Sequence, residues 1–522
     1  MLFGDAVLAD LRKRRSATLL VTACCAAALL APGHSLAQET ASGDGAATAT
    51  QNGGDDAPGA ANPVAGQDEL TAGLTVGSGG WVTTVRPFFE QAVTFSDNID
   101  LDPDDEAVED YISTSTVGVD FNADTARLKT DGGLSISYDA SLGGNSDDET
   151  RINSDVEAVA AFVPDRFFVE AFADIREELV NENSGSSGND TAGQDGRERE
   201  INLGVAPFVI YPIEGLGEAE VKAAYSTVLE EGDEAEDSWT QVYSAALRTA
   251  PQALDGATVE LSGSYTNFNN IDDEDDSRDL WTVALGAETP LSSTFAINGT
   301  VGYDDVSPET DFDNETSGPF ANVGFRYVPS QTLNATGFLG WRFGGVDFGG
   351  EVSYQATDVW GFRAEASRRL DAFGLDARQR LNTEADFGDD DDPAIRDEVV
   401  LQATAQTGKT TLNLNASAER AELQGDEEGE SDEITLRASA DFDRQFGFTA
   451  WTYGAGVGYE HFIAGEADDV DTDTVDLGLK VSYQLNKNVS IFTRYGFTQR
   501  FADESNDEYI ENFAVIGIRG QL

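Results

Sequence analysis

The sequence predicts an all-β protein, a transmembrane antiparallel up-and-down β-barrel of about 22 strands, in a range of roughly 18 to 24. Three observations carry this prediction. From Trp81 onward, runs of about 10 to 13 residues alternate apolar and polar side chains, which is the period of a strand. The breaks between runs alternate between short turns and long acidic loops, and a secretory signal stands at the N-terminus. Together they favour a barrel in the outer membrane of a Gram-negative bacterium.

Residues 1–37 have the pattern of a secretory signal peptide. The positive segment "RKRR" precedes the apolar run Ser16–Ala31, and small residues allow cleavage after Ala37. A lipoprotein signal acylated on Cys24 is the rival interpretation, but the apolar run continues well past Cys24. Cleavage would remove both cysteines, so the mature chain is expected to have no disulfide and no thiol chemistry.

Residues 38–80 are predicted to be a disordered periplasmic leader, and residues 81–522 the barrel. The leader contains "GDGAATATQNGGDDAPGAANPVAG", which has almost no large apolar side chains to bury. It is also too short and too polar to form a plug domain inside the barrel. A plugged, energy-coupled transporter is therefore not expected, despite the strand count.

The charge balance is strongly acidic, with 32 Lys+Arg against 96 Asp+Glu and a formal net charge of -64. A surface of this charge repels phosphate backbones, which excludes nucleic acid as a partner. No apolar stretch reaches the 18 residues that a membrane-spanning helix needs.

The strand pattern is clearest in "VDLGLKVSYQL", where Val475, Leu477 and Leu479 face one way and Asp476 and Lys480 the other. A soluble β-sandwich array or a β-helix is the alternative fold. Such folds bury both strand faces in part, and charged groups there would be costly, whereas lumen water hydrates them in a barrel. The candidate lumen-lining residues share this polar face; they are Arg326, Arg342, Lys480, Arg494 and Arg500.

Loop lengths predict the orientation of the barrel. Turns such as "VPDR" at Val163 and "TGKT" at Thr407 are short, whereas the loops that start at Ser96 and Asn181 are long and acidic. Short periplasmic turns and longer outer loops are typical of these barrels. The weakest strand pattern, Asp371–Glu398, is interpreted as one long outer loop, with a hidden hairpin as the alternative. An even strand count puts both termini on the periplasmic side.

The last 13 residues, "IENFAVIGIRGQL", are predicted to be the strand that closes the barrel. In lipid, an open sheet edge leaves backbone groups without partners, so the last strand must pair with the first. Phe513, Ile516, Ile518 and Leu522 belong to this strand, with Ile516, Ile518 and Leu522 expected to face lipid. Many outer-membrane barrels end in an aromatic residue, and Leu522 departs from that rule.

The first strand and loop, "WVTTVRPFFEQAVTFSDNIDL", resemble a known family. An aromatic residue followed by Asp-Asn and an aliphatic, here Phe95, Asp97, Asn98 and Ile99, is similar to the hallmark of the beta-barrel porin type 2 proteins. The resemblance spans roughly residues 81–522, and related barrels are associated with exopolysaccharide and PEP-CTERM sorting systems. It implies an outer-membrane barrel with a link to polysaccharide secretion, and no catalytic residues.

No constellation in the sequence supports an enzyme or a cofactor. The mature chain has one histidine, His461, on the lipid-facing register, while Glu460 faces the lumen, so the two form no dyad. "DLDPDDEAVEDY" places Asp100, Asp102 and Asp104 as in a calcium loop. It has Asp105 where that loop needs Gly and Tyr111 where it needs Glu. The segment from Asp469 fails in the same way, so a specific metal site is not predicted. Weak binding of divalent cations that bridge to lipopolysaccharide remains open.

Two functions remain open at the sequence level. The first is a porin-like passage for ions, small solutes or exopolysaccharide, with an acidic rim that favours cations. The second is a closed structural barrel that acts as an anchor or adhesin-like component of an exopolysaccharide secretion system. Expected partners are outer-membrane lipid and lipopolysaccharide, the barrel-assembly machinery and exopolysaccharide export components.

Overall fold

The structure is a computed structural model that describes residues 74–76, 82–103, 107–146, 148–179, 189, 191–192, 197–231, 237–271, 277–307, 317–371, 394–423, 431–446, 450–463, 471–502 and 508–522. All of these residues belong to one unit, 54–522. The predicted signal peptide, 1–37, lies outside the described residues, as does most of the predicted leader.

Twenty-three strands make up almost all of the described chain. The first eleven are β1 (Leu74–Val76), β2 (Val82–Ser96), β3 (Asp110–Asp124), β4 (Leu128–Ser141), β5 (Glu149–Val163), β6 (Phe167–Leu179), β7 (Arg197–Ile213), β8 (Gly217–Glu231), β9 (Ser238–Thr249), β10 (Thr258–Asn270) and β11 (Ser277–Pro290). The other twelve are β12 (Phe295–Ser307), β13 (Gly318–Ser330), β14 (Leu333–Arg342), β15 (Gly345–Gln355), β16 (Trp360–Asp371), β17 (Ala394–Thr407), β18 (Thr410–Leu423), β19 (Ser431–Gln445), β20 (Trp451–Ile463), β21 (Asp471–Asn486), β22 (Val489–Ala502) and β23 (Tyr509–Gln521).

The strands β2 to β23 form a closed antiparallel barrel. Each pairs with the next along the chain, and β2 pairs with β23, from Phe88↔Gln521 to Ser96↔Phe513. The predicted 22-strand up-and-down barrel is therefore confirmed. The chain reverses between β9 and β10 through the 3₁₀ turn Pro251–Leu254. None of the described helical segments is long and apolar enough to cross a bilayer.

The two ends of the barrel differ in their connections. At one end, called the short-turn end, strands join through tight turns such as the one between β17 and β18, which contains only residues 408–409. The other end is the long-loop end. One connection there is also tight: β14 and β15 join through Phe343 and Gly344, whose φ angles are 51° and 67°. Two successive positive φ angles are typical of a type I′ hairpin turn.

The predicted loop Asp371–Glu398 needs a correction. β16 ends at Asp371, as expected, but β17 begins at Ala394, so the C-terminal part of that segment is strand. Its polar residues obscure the alternation, and they pair with β18 all the same, for example Arg396↔Ala421 and Glu398↔Glu419. Side chains that face a polar barrel interior need not be apolar. The alternation of apolar and polar residues in this segment is therefore weak.

A short strand within the predicted leader completes the barrel seam. β23 pairs with β2 only from Phe88 towards the long-loop end. β1 pairs with β2 residues nearer the short-turn end, with Leu74 opposite Val85. β1 and β23 therefore lie along the same edge of β2. The leader, predicted to span residues 38–80, thus includes three residues that hydrogen-bond to the barrel.

The outward face carries large exposed apolar side chains and two belts of paired aromatic rings. Those near the short-turn end are Phe295–Tyr327, Trp360–Phe362 and Trp451–Tyr483. Those near the long-loop end are Phe95–Tyr111, Tyr225–Trp239 and Tyr265–Trp281. Two such belts are the interfacial girdles that transmembrane barrels place at the two membrane surfaces.

The closing strand alternates between the two faces. Ile516, Ile518 and Leu522 point outward and are 62 %, 41 % and 71 % exposed. Phe513 points inward, is 6 % exposed, and lies flat over Gly496 of β22. Inward phenylalanines cover cross-strand glycines elsewhere in the barrel too, as Phe492 does with Gly517. The absence of a Cβ at these positions lets the ring pack against the backbone, much as aromatic rings shield glycine in other sheets.

Replacement of Gly496 by alanine should destabilise the barrel seam. A Cβ at Gly496 would lie 2.1 Å from the Phe513 ring, and Phe513 is buried, so the ring has little room to move. Overpacking of this kind typically costs about 1–3 kcal/mol. Urea unfolding, followed by the heat-modifiable mobility of the folded barrel on gels, measures the effect. The matched control is Gly286→Ala on β11, whose Cβ would have no neighbour closer than Thr300 Oγ1 at 3.5 Å, an ordinary contact. Equal midpoints for the two variants would contradict the packing role of Gly496.

Candidate functional site

The inward face of β2 to β23, called the inner wall, is lined by cross-strand ion pairs. Lysine and arginine side chains on one strand meet carboxylates on the adjacent strand or on the strand beyond it. The pairs include Arg151–Asp139, Lys222–Glu170, Arg326–Glu288, Arg342–Asp304, Arg396–Glu419, Arg437–Glu460 and Lys480–Asp443. An interior of this kind suits water and polar solutes, not an apolar ligand.

Arg342, one of the five predicted lumen-lining residues, forms an ion pair with a buried carboxylate. Its Nε and one terminal nitrogen donate to the two carboxylate oxygens of Asp304, at 2.7 and 2.9 Å. The Asp304 side chain is only 2 % exposed. The guanidinium also stacks between the rings of Phe320 and Phe343, with 4.6 Å to each centroid. This arginine therefore binds Asp304 in a bidentate manner and is held in place by two rings.

Arg326 and Lys480 are also paired. Arg326, near the short-turn end, donates to Glu288, and about half of its side chain is exposed. The Lys480 Nζ lies 3.1 Å from Asp443 Oδ1. Arg326, Arg342 and Lys480 thus all lie on the inner wall, and each is paired with a carboxylate. They do not present free positive charge to the interior.

Arg494 and Arg500 lie on the inward face of β22. Arg494 is opposite Lys480 in register, and Arg500 is opposite Thr474 and Tyr509. Arg500 is 6 % exposed, so its guanidinium is packed within the wall. The structure places all five predicted basic residues on one face, in two groups on adjacent strands, β13–β14 and β21–β22. Of the five, Lys480 and Arg494 are directly opposite each other in register.

A shallow depression on the inner wall gathers acidic groups on β19 to β21. Its floor is made of glycines, among them Gly454 and Gly456, and its rim carries Asp441, Asp443 and Asp476, with Lys480 and Arg494 alongside. A Cβ on Gly454 would lie 2.5 Å from Asp443 Oδ1, and one on Gly456 would lie 2.6 Å from Asp441 Oδ1. The glycines therefore allow the carboxylates to lie along the wall. Three carboxylates against two cations leave this depression acidic.

These ion pairs could not be read from the sequence. The partners are 38 residues apart for Arg342 and Asp304 and 52 for Lys222 and Glu170. A period-two pattern assigns each residue to a face of the sheet, but it does not give the register, that is, which residue of another strand lies opposite. The glycine spacing "GAGVG" in β20 was the one available signal for the depression.

At the long-loop end, the Asp-Asn motif joins the two strands of the seam. Asp97 accepts hydrogen bonds from the backbone N–H of Asn512 at 2.6 Å and from its side-chain amide at 2.9 Å. Asn98 is fully buried: its amide donates to the carbonyls of Asp102 and Ile510, and its oxygen accepts from the N–H of Asp102. Ile99 is likewise fully buried. The motif that carries the family resemblance thus fastens β2 to β23.

A buried carboxylate extends this fastening into the barrel interior. Glu511 on β23 has no exposed surface, and its Oε1 accepts from Ser96 Oγ at 2.7 Å and from the Asn189 amide at 2.6 Å. Asn189 belongs to the connection between β6 and β7. Ala192 of the same connection packs with Leu101 and Tyr509 in a small apolar cluster. Part of the β6–β7 connection therefore reaches across to the seam. The contacts of Ser96, Asn98, Asn189 and Glu511 are called the mouth cluster.

The acidic loops and the histidine were the other candidates. In the predicted calcium-like segment, Asp102 is bound by Asn98, whereas Asp104 and Asp105 lie outside the described residues, as does Asp469. His461 is on the outward face and Glu460 on the inner wall, where it pairs with Arg437, as the strand register predicts. No histidine–carboxylate dyad faces the interior in the described part of the barrel.

Removal of Arg342 should destabilise the barrel far more than removal of Arg326. Arg342→Met leaves the buried Asp304 carboxylate with the Thr282 hydroxyl but without its cation, and the loss of one partner from a buried ion pair typically costs about 3–5 kcal/mol. Arg326→Met breaks an exposed pair, which is typically worth about 0–1 kcal/mol. Urea unfolding in detergent measures both. Similar losses in the two variants would show that the Asp304 site is well hydrated and that burial does not set the cost.

Comparison with known proteins supports the fold. No family model matches this sequence, and no curated protein is similar to it in sequence. Among solved structures, the chain is similar to the FrpB iron transporter from Neisseria meningitidis (F3-3 variant). The matched region covers 87 % of this chain and 83 % of the FrpB chain, at 9 % identity and a TM-score of 0.50. The siderophore receptor PirA from Pseudomonas aeruginosa covers 84 % and 80 %, at 10 % identity and a TM-score of 0.45. OmpT, an outer membrane protein of Vibrio cholerae, covers 86 % and 100 %, at 10 % identity and a TM-score of 0.31. The similarity to FrpB shows that the chain has the β-barrel fold of that protein.

Proposed function

We propose that this chain is an outer-membrane channel that conducts small polar solutes and prefers cations. The observation that carries the proposal is the inner wall: its basic side chains are opposed by acids, and its depression at β19 to β21 keeps an excess of carboxylates. A wall of this charge stabilises hydrated cations and repels anions. The formal net charge of -64 acts in the same direction.

The export signal, the girdles and the short-turn end fit the same proposal. In an outer membrane, the short-turn end would face the periplasm, and the long acidic loops would face outward. Outer-membrane lipid, lipopolysaccharide and the barrel-assembly machinery are then the expected partners. The family resemblance adds exopolysaccharide as a candidate solute and export components as candidate partners. Neither catalysis nor a cofactor is part of the proposal.

Single-channel conductance in a planar bilayer tests the channel directly. We expect stepwise conductance with cation preference from the refolded barrel. In the triple variant D441N/D443N/D476N, the cation-over-anion permeability ratio should fall severalfold while conductance persists, because charge in the lumen sets selectivity. The matched control, D165N/D255N/D358N, removes the same formal charge from turns at the short-turn end. Equal ratios in the two triple variants would contradict the role of the depression.

A closed structural barrel is the second candidate, and the mouth cluster is the observation that favours it. The contact between Asn189 and Glu511 holds part of the β6–β7 connection against the seam at the long-loop end. A buried, charge-assisted hydrogen bond of this type is worth about 1.5–3 kcal/mol. If it holds the mouth shut, the barrel would be an anchor or adhesin-like component of a secretion system and would conduct poorly.

Asn189→Ala separates the two candidates. Loss of the amide donor should free the β6–β7 connection from Glu511 and raise single-channel conductance, while the barrel stays folded. Asn145→Ala is the control, because its amide donates to the Glu109 carbonyl in an exposed loop and does not reach the interior. A wild-type barrel that is silent, together with a conducting N189A variant, would favour the closed barrel. Silence in both would remove the channel proposal.

A further inference from the structure

We propose that His461, Asp471 and Asp473 form a binding site for a divalent transition-metal ion, with Zn²⁺ as the reference ion, at the long-loop end of the outward face. Their ligand atoms all lie within 4.8 Å of one another. The site is separate from the inner wall and from the proposed passage, so it stands or falls independently of the channel.

The strand register brings the three residues together. His461 lies two residues before the end of β20 and is directly opposite Asp473 on β21. The last residue of β20, Ile463, is opposite Asp471. Residues two apart on a strand share a face, so Asp471 and Asp473 both point to the side that His461 occupies. Hairpin strands hold ligands more firmly than loops do, which favours a site with a defined geometry.

The distances within the site match those of a coordination shell. Both carboxylates approach the same ring nitrogen: His461 Nδ1 lies 3.1 Å from Asp473 Oδ1 and 3.4 Å from Asp471 Oδ1. Two ligand atoms that bind one Zn²⁺ at tetrahedral angles, with bonds near 2.0–2.1 Å, lie roughly 3.3–3.4 Å apart. Two carboxylates drawn to one nitrogen repel each other unless a cation lies between them. A metal ion at the shared point would satisfy all three groups at little structural cost.

The neighbouring side chain supports one ligand. Tyr459, two residues before His461 on the same face, donates its hydroxyl to Asp473 Oδ1 at 2.6 Å. Hydrogen bonds from outside the coordination shell commonly orient carboxylate ligands. The three side chains are 22 %, 49 % and 42 % exposed for His461, Asp471 and Asp473, so the protein itself does not enclose the site. Three protein ligands also leave at least one position for water or an anionic group.

The donor set selects the class of ion. Imidazole nitrogen suits Zn²⁺, Co²⁺, Ni²⁺ and Cu²⁺, whereas Ca²⁺ and Mg²⁺ take oxygen ligands almost exclusively. One nitrogen with two carboxylates therefore favours a transition-metal dication over Ca²⁺. The acidic loops at this end would raise the local concentration of any dication.

Co²⁺ titration of the refolded full barrel in detergent tests the site. Co²⁺ bound through imidazole and carboxylate gives visible d–d absorption that free Co²⁺ in buffer lacks in this form. We expect one-to-one, saturable binding, displacement by one equivalent of Zn²⁺, and no displacement by a tenfold excess of Ca²⁺. In His461→Asn and in Asp473→Asn, the affinity should fall tenfold or more. His461→Asn keeps an N–H group that can still bond to Asp473, so loss of binding cannot be attributed to a broken hydrogen bond.

A matched control separates this site from general acidity. Glu109→Gln removes an exposed acid in the β2–β3 loop, also at the long-loop end, and should leave Co²⁺ affinity unchanged. Unfolding midpoints for the four proteins, measured without metal, confirm that each variant is folded. Equal Co²⁺ affinity in wild type and His461→Asn would overturn the proposal, as would binding that Ca²⁺ displaces. Both results would assign the dications to diffuse attraction by the acidic loops.

Discussion

The whole architecture depends on the need to give every backbone N–H and C=O group a partner where no water is available. A sheet of 22 strands meets that need only when its last strand pairs with its first, as β23 does with β2. β23 stops opposite Phe88, so the part of β2 nearer the short-turn end would be an open edge. β1 pairs with β2 there. The seam is thus completed by two segments from opposite ends of the chain. The Asp97 and Asn98 contacts then fasten its upper end.

Closure also determines what the two faces can hold. The outward face meets lipid, so apolar side chains with aromatic belts near the strand ends are favourable there. The inner wall is hydrated, so it can carry charge, but the charges are paired across strands. Pairs such as Arg342–Asp304 and Lys480–Asp443 span an intervening strand, link β14 to β12 and β21 to β19, and reduce the positive potential of the interior. Glycines such as Gly496 provide the space for the inward phenylalanines that cover the backbone between these pairs.

The mouth cluster connects the seam to the proposed function. Glu511 receives hydrogen bonds from β2 and from the β6–β7 connection, so the same carboxylate takes part in closing the wall and in holding Asn189 against the seam. A buried carboxylate depends on the groups that bind it. In the proposed closed barrel, release of Asn189 and the strength of the seam would therefore be coupled through Glu511. The His461 site lies on the other side of the wall and shares none of these contacts.

The sequence alone was sufficient for the barrel, its strand count and most strand ends, because these follow from local patterns. Alternation over neighbouring residues assigns faces, and turn residues mark the breaks, as at Val163 and Thr407. The same alternation predicts a face for Arg342, Lys480 and His461. It missed the first residues of β17, Ala394–Glu398, where polar side chains weaken the alternation, and it missed β1, which is too short to show any. Which residues meet was decided by the tertiary structure. Asn189 and Glu511 are 322 residues apart, and Arg342 and Asp304 are 38 apart. Such contacts depend on strand register and on closure of the barrel, and neither is encoded within a single run of residues.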